Sequence, residues 1–292
     1  MPVAVMIANP AAPRLTPALA EDLRARWSGA PLRWLAPGIA AEFLLPAAPA
    51  DFEAAAQALR AEGVDLALVP EGRRRKRLLL ADMDSTMIGQ ECIDELAALA
   101  GIGPQIAAVT ARAMNGELEF ESALRERVAL LAGQPAALVD RVLAERITYT
   151  PGGRELVATM RAAGARAVLV SGGFTAFTAA VTAQLGFDAH HANTLEVDGD
   201  RLAGTVAEPI LGQQAKLDAL HRITAEMGIA TADAIAVGDG ANDLAMLGAA
   251  GLGVALHAKP VVAAQARVRI DHGDLTALLY LQGFARAEFV TG

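Results

Sequence analysis

Residues 77–86 read Arg-Leu-Leu-Leu-Ala-Asp-Met-Asp-Ser-Thr, and this stretch decides the fold. Leu78-Leu79-Leu80 is a continuous apolar run that ends in a polar turn. Such a run is a strand buried on both faces, the kind that builds parallel sheets. Segments 167–170 and 234–237 repeat the pattern, each running directly into a polar, glycine-containing turn. Around them lie stretches with helical periodicity, over 153–163, 175–185 and 214–227. Buried strands alternating with helices predict a Rossmann-like, doubly wound parallel sheet of the α/β class. In such a sheet the ligand sits beyond the carboxyl ends of the strands. Three strand ends are therefore candidates: Asp82-Met83-Asp84, Ser171-Gly172-Gly173 and Gly238-Asp239-Gly240.

Working outward, residues 88 to about 147 read as helix after helix with no comparable strand. They form a helical cap inserted over the site. Upstream, strands over 2–7, 32–35, 41–45 and 64–69 are interleaved with helices over 16–27 and 51–61. That βαββαβ order predicts a ferredoxin-like sandwich. A basic run, Arg73 to Arg77, follows Glu71-Gly72 and reads as a solvated linker. The expected division is 1–72 for the first domain and 73–292 for the second.

Composition sets limits on function. Of 292 residues 53% are hydrophobic and 4% aromatic, so the core is built from Ala, Leu and Val. The net charge of −8 argues against nucleic acid, whose phosphates demand a basic face. The one cysteine, Cys92, permits no intrachain disulfide and reads as a packing residue. The start, MPVAVMIANP, has no basic secretory region. The apolar stretch 244–256 is interrupted by glycines and is shorter than the ~20 residues of a membrane span. A cytoplasmic enzyme, with neither membrane nor nucleic acid as partner, is expected, and a homodimer is compatible with it.

The candidate strand ends carry four carboxylates, Asp82, Asp84, Asp239 and Asp243. Taken alone, the Asp82-Met83-Asp84 pair reads equally well as two solvated turn residues. Four acids in one crevice repel one another and any anionic substrate, so the cluster calls for a divalent cation. Oxygen-only donors point to Mg²⁺. Ser171 and the Gly172 amide suit a phosphate at a flexible turn. Lys216 supplies positive charge from the start of the helix before the last of these strands.

In order and type, Asp82-Met83-Asp84-Ser85-Thr86, Val170-Ser171-Gly172-Gly173-Phe174, Lys216 and 238–247 resemble the four motifs of the haloacid dehalogenase (HAD) superfamily of phosphatases. The cap segments 88–97 and 114–131 are similar to those of its phosphoserine phosphatases, and 1–72 resembles their ACT-like domain. The resemblance implies Mg²⁺-dependent hydrolysis of O-phospho-L-serine, the last step of serine biosynthesis. It makes Asp82 the nucleophile and Asp84 the general acid and base. Asp82, the Asp84 backbone carbonyl and Asp239 become metal ligands, with Asp243 behind them. Ser171, Gly172, Lys216 and Asn242 become phosphate contacts. In the cap, Glu91 takes the substrate ammonium, Arg127 its carboxylate, and Met114 and Phe120 form an apolar lid. Met83 stands where the family more often has phenylalanine. Four other readings stay open: transfer of the phosphoryl group from phosphoserine to an alcohol such as homoserine, a HAD phosphatase for another small phosphate monoester, a phospho-receiver protein, and an amino-acid-sensing role for the first 70 residues.

Overall fold

Alternation along the first strand organises the N-terminal part of the molecule. The computed structural model describes residues 1–115 and 117–291. Its first six elements are β1 (Pro2–Ala8), α1 (Pro17–Arg26), β2 (Arg33–Ala36), β3 (Ala40–Leu44), α2 (Phe52–Ala61) and β4 (Val64–Pro70). The strands form an antiparallel sheet in the order β2-β3-β1-β4, the ferredoxin-like arrangement expected of βαββαβ. Helix α1 starts where Thr16 Oγ1 accepts the Leu19 amide at 3.2 Å and proline occupies the first turn. In β1, Ala4, Met6 and Ala8 face a core shared with α1 and α2, through residues such as Leu23 and Leu59. Val3, Val5 and Ile7 point the other way, into the core of the rest of the chain.

The remainder begins with β5 (Leu78–Ala81) and four helices, α3 (Cys92–Ala100), α4 (Gly103–Met114), α5 (Phe120–Ala129) and α6 (Leu138–Glu145). Then follow α7 (Gly153–Ala162), β6 (Arg166–Phe174), α8 (Thr175–Leu185), β7 (Ala189–Asn193), β8 (Leu195–Asp198), β9 (Arg201–Val206) and α9 (Gln213–Glu226). The chain ends with β10 (Ala234–Gly238), α10 (Leu244–Ala249), β11 (Leu252–Leu256), α11 (Pro260–Ala263), β12 (Val268–Ile270) and α12 (Ala277–Leu281). Six strands make a parallel sheet in the order β12-β11-β10-β5-β6-β7. From β5 the chain first builds outward through β6 and β7, then returns to the other side for β10, β11 and β12. The reversal at β5 is the topological switch point where ligands of such sheets bind. Both sheet faces are covered: Leu78, Leu80, Val168 and Ala236 pack with α9 and α10. Leu79, Leu169 and Val237 pack with α7, α8, α12 and the odd face of β1.

Helices α3 to α6 form the expected insertion. Its two connections lie side by side, bridged at Ile88 and Tyr149, with Gly89 N donating to Thr148 O at 2.9 Å. A hairpin that sequence periodicity did not disclose, β8–β9, is a third link between core and cap. Gly133 N donates to Leu202 O and Leu202 N to Gln134 O, both at 2.8 Å. Gly204, at φ +80°, lets the hairpin close on the cap, since a Cβ there would lie 2.6 Å from the Ala132 Cβ.

The basic run departs from expectation in part, for Arg74 and Lys76 are docked rather than solvated and Arg75 is stacked on a ring. Arg74 Nη2 donates to Glu42 Oε2 at 2.6 Å and Lys76 Nζ to Ala232 O at 2.7 Å. The Arg75 guanidinium lies 4.1 Å over the Phe284 ring. Glu42 explains the difference: it is a buried carboxylate on β3, and burial demands a cationic partner. Arg73, Arg75 and Arg77 stay exposed.

Candidate active site

The three strand ends meet in adjacent strands, β10, β5 and β6, and each delivers its polar residues differently. At the end of β5, Asp82 N continues the sheet by donating to Val237 O at 3.0 Å. The chain then turns tightly, with the Thr86, Met87 and Ile88 amides all donating to Met83 O and Ser85 at φ +55°. Met83 is fully buried. The turn sends Asp82 and Asp84 to different neighbours. Asp84 Oδ1 accepts the Cys92 amide at 3.0 Å, and Ser171 Oγ donates to Asp84 Oδ2 at 3.4 Å. Glycine at 173 is needed there, because a Cβ would stand 2.7 Å from Asp84 Oδ2.

Asp82 instead joins Asp239 and Asp243, whose carboxylate oxygens come within 4.8 Å of one another. The cluster therefore holds three carboxylates, not the four expected from sequence, since the Asp84 side chain faces Ser171 and the cap. Lys216, in the first turn of α9, lies between Asp82 Oδ1 and Asp243 Oδ1 at 2.7 Å from each. The second Asp243 oxygen accepts the Gly240 amide at 3.0 Å. Asp239 Oδ1 accepts Thr86 Oγ1 at 3.4 Å.

Electrostatics follow from burial. Burial, then the neighbouring Asp243 carboxylate, hold Asp82 well above the usual carboxylate range despite Lys216. Burial likewise raises Asp239, and pushes Asp84 up to about 6 against hydrogen bonding from Cys92. Burial alone would lower the Lys216 ammonium, but Asp82 and Asp243 outweigh it and keep it charged. Three carboxylates against one deeply buried ammonium leave a surplus of two negative charges. Oxygen donors with that surplus suit a hard divalent cation.

On the other side of Asp84, strand β6 does not stop at Val170 but runs on through Ser171–Gly173 to Phe174, with an irregular register against β7. Helix α8 starts only at Thr175, so Ser171 and Gly172 lie on extended backbone rather than at a helix start. Ser171 Oγ accepts the Gly173 amide at 2.9 Å. Asn193, which sequence reading missed, fixes this loop. Its Nδ2 donates to Gly172 O at 2.8 Å and to Leu211 O at 3.3 Å, and its Oδ1 accepts Leu211 N at 2.7 Å. Asn193 ends β7, so the strand-end rule that found the other residues reaches it too. The Phe120 ring covers the loop, 3.2 Å from where a Gly172 Cβ would stand and 3.3 Å from that of Gly212. A groove of about 970 Å³ opens beyond that ring, between α5 and the start of α9, and neither the carboxylate trio nor Asp84 lines it.

The cap residues are placed unevenly. Glu91 precedes α3 and its Oε1 accepts Ser85 Oγ at 3.0 Å. Arg127, half-buried on α5, donates through Nε to Ala123 O at 3.3 Å and has no ion pair within 4 Å among the described residues. Burial lowers its affinity for a proton, while Asp94 and Glu91 work the other way. Asn242 is half-buried beside Gly240. Met114 ends α4, and its side chain lies outside the described residues. Cys92 is buried, its thiol pushed up by burial. Lys259 was not anticipated: its Nζ lies 3.4 Å from Asp239 Oδ2 and 3.7 Å from Glu91 Oε1.

The family model described as haloacid dehalogenase-like hydrolase matches residues 79–248, from β5 into α10. This chain belongs to that family. Two solved structures match nearly the whole chain. One is a HAD family hydrolase from Salmonella enterica serovar Typhi, with a TM-score of 0.87 and 30% identity over 96% of this chain and 98% of that one. The other is a probable phosphoserine phosphatase from Vibrio cholerae, with a TM-score of 0.79 and 35% identity over 98% of this chain and 88% of that one. A curated phosphoserine phosphatase of Streptomyces coelicolor is 48% identical over 77% of this HAD chain. The match spans 55% of that relative, about half its length. Among the described residues no helix is long and apolar enough to cross a membrane.

Proposed function

We propose that this HAD hydrolase is a phosphoserine phosphatase, removing phosphate from O-phospho-L-serine by way of a phosphoaspartate on Asp82. The observation that carries the reading is the buried Lys216 ammonium, 2.7 Å from Asp82 and facing a carboxylate trio, with Ser171 and Asp84 across the same crevice. Among the relatives, a phosphoserine phosphatase name goes with 48% identity.

In the first step an Asp82 oxygen attacks phosphorus in line, and the phosphorus–seryl oxygen bond breaks as the new bond forms. Asp84, held by the Cys92 amide and raised toward neutrality, gives its proton to the departing seryl oxygen. In the second step Asp84 takes a proton from water, whose oxygen attacks phosphorus and expels the Asp82 carboxylate. Mg²⁺ held by Asp82, the Asp84 backbone carbonyl and Asp239 would neutralise charge on the phosphoryl oxygens. Asp243 anchors Lys216, which faces those oxygens together with Ser171 and the Gly172 amide, while Asn242 borders their approach. Phe120, whose ring covers the Gly172 loop, closes over the phosphate and excludes water. Glu91 and Arg127 read the amino-acid end. Residues 1–72 are proposed as an ACT-like domain and 73–292 as the catalytic domain, with its cap at about 88–147.

A panel of phosphate monoesters assayed with and without Mg²⁺, together with mass spectrometry of acid-quenched enzyme, tests this. Phosphoserine should be the preferred substrate, turnover should need the metal, and the trapped phosphate should map to Asp82. Substantial activity of Asp82→Asn would refute the covalent route.

A further inference from the structure

Lys259 belongs to none of the motifs that carry the chemistry, yet it touches both halves of the site. It precedes α11, beyond the end of β11, and its backbone amide donates to Asp239 O at 3.1 Å. Its side chain turns back to the same residue, with Nζ 3.4 Å from Asp239 Oδ2, and also reaches Glu91 Oε1 at 3.7 Å. Asp239 ends a core strand and Glu91 begins the cap, so one ammonium spans the crevice between core and cap. Both partners are groups to which the proposed function gives a different cation: the metal for Asp239, the substrate ammonium for Glu91. Those cations would compete with Lys259 for the same two carboxylates.

The two lysines of the site are built for different tasks. Lys216 is 2% exposed and sits at 2.7 Å from two carboxylates. Lys259 has a side chain that is 57% exposed, and its contacts are longer. An ammonium on a flexible stem in that setting can leave without a desolvation cost, and such pairs are weakly held.

We infer that Lys259 is a positioning residue, a tethered cation that holds Asp239 and Glu91 together in the free protein and yields them to the divalent cation and the substrate ammonium. The Glu91 half of this inference rests on the proposed phosphoserine activity; the Asp239 half needs only the carboxylate cluster.

Calorimetric titration of the metal-free full chain with Mg²⁺ alone tests it, comparing wild type with Lys259→Met and Lys259→Arg. Removing the internal competitor should tighten Mg²⁺ binding about two- to fivefold, the range an exposed ion pair commands. The difference should shrink as sodium chloride is raised, and the arginine variant should stay near wild type. A lysine that merely supports the fold would give the opposite sign, so unchanged or weaker Mg²⁺ binding in Lys259→Met overturns the inference. Lys259→Gln serves as a second neutral variant should the methionine form fold poorly, with the same outcomes deciding. Phosphoserine turnover by the wild type is measured alongside. Its absence overturns the proposed function and the Glu91 half, while the titration still decides the Asp239 half.

Discussion

Replacing Lys216 by methionine should show how much the carboxylate trio depends on its one buried counter-charge. The ammonium is 2% exposed and contacts Asp82 and Asp243 at 2.7 Å each. At an effective dielectric constant of about 20, each contact corresponds to roughly 6 kcal/mol of Coulomb attraction. Most of that is offset by the cost of taking the lysine out of water, a cost that disappears with the mutation. What remains is two buried carboxylates facing each other unpaired, and breaking a buried pair from one side typically costs about 3–5 kcal/mol. The surplus negative charge rises from two to three. Urea unfolding in the presence of a chelator should therefore show Lys216→Met destabilised by about 3–5 kcal/mol with a nearly unchanged denaturant slope. The double variant Lys216→Met with Asp243→Asn lowers the surplus back to two and should regain part of the loss. A single variant within about 1 kcal/mol of wild type would refute the reasoning, as would a double variant no more stable than the single.

Three further outcomes are expected. Asp84→Asn should lose about 10²–10⁴ in turnover of phosphoserine but much less with aryl phosphates, whose leaving groups need little protonation; equal losses in a steady-state comparison would remove Asp84 as the acid. Phosphoethanolamine lacks the carboxylate that Arg127 would grip and should fall at least tens of fold below phosphoserine in kcat/KM, a gap that Arg127→Ala narrows; equal kcat/KM for the two substrates would end the phosphoserine assignment. Mg²⁺ at about a hundred times its Kd should stabilise the folded chain by about 2.7 kcal/mol, seen as a Tm several degrees higher, and Asp239→Asn should lose most of that shift in a melting experiment.

Much of this was legible in the chain because the strongest signals in it are physical ones. Buried parallel strands must be apolar throughout, so β5, β6 and β10 announced themselves, and their polar ends named Asp82, Ser171 and Asp239. The N-terminal order was equally readable because Thr16 and Pro17 mark a helix start and the strands between the helices are short and apolar. What escaped depends on partners distant in sequence. The basic run looked solvated because nothing local reveals that Glu42 and Phe284 wait for it. The β8–β9 hairpin is largely exposed, with a weak apolar pattern, and its purpose appears only where it meets the cap. β11 hid inside the apolar stretch 244–256, which the chain divides between a helix and a strand. Lys259 is a single polar residue without a motif, and three-dimensional contact alone gives it meaning, whereas Asn193 stands at a strand end and was within reach of the same rule.

Strand β1 is a party wall. Its even-numbered side chains furnish one interior and its odd-numbered ones another, so a substitution there is inspected from the side it faces while its backbone shift is felt on both. A methylene added at Met6 presses on α1 and α2, whereas one added at Val5 presses toward α12 and the layer behind the catalytic sheet. Signals that tighten or loosen the N-terminal sheet thus have a route to the rear of the reacting crevice that needs no hinge. The same wall leaves little room for drift: the residues of β1 answer to two neighbours at once, and a change that suits one must be tolerated by the other.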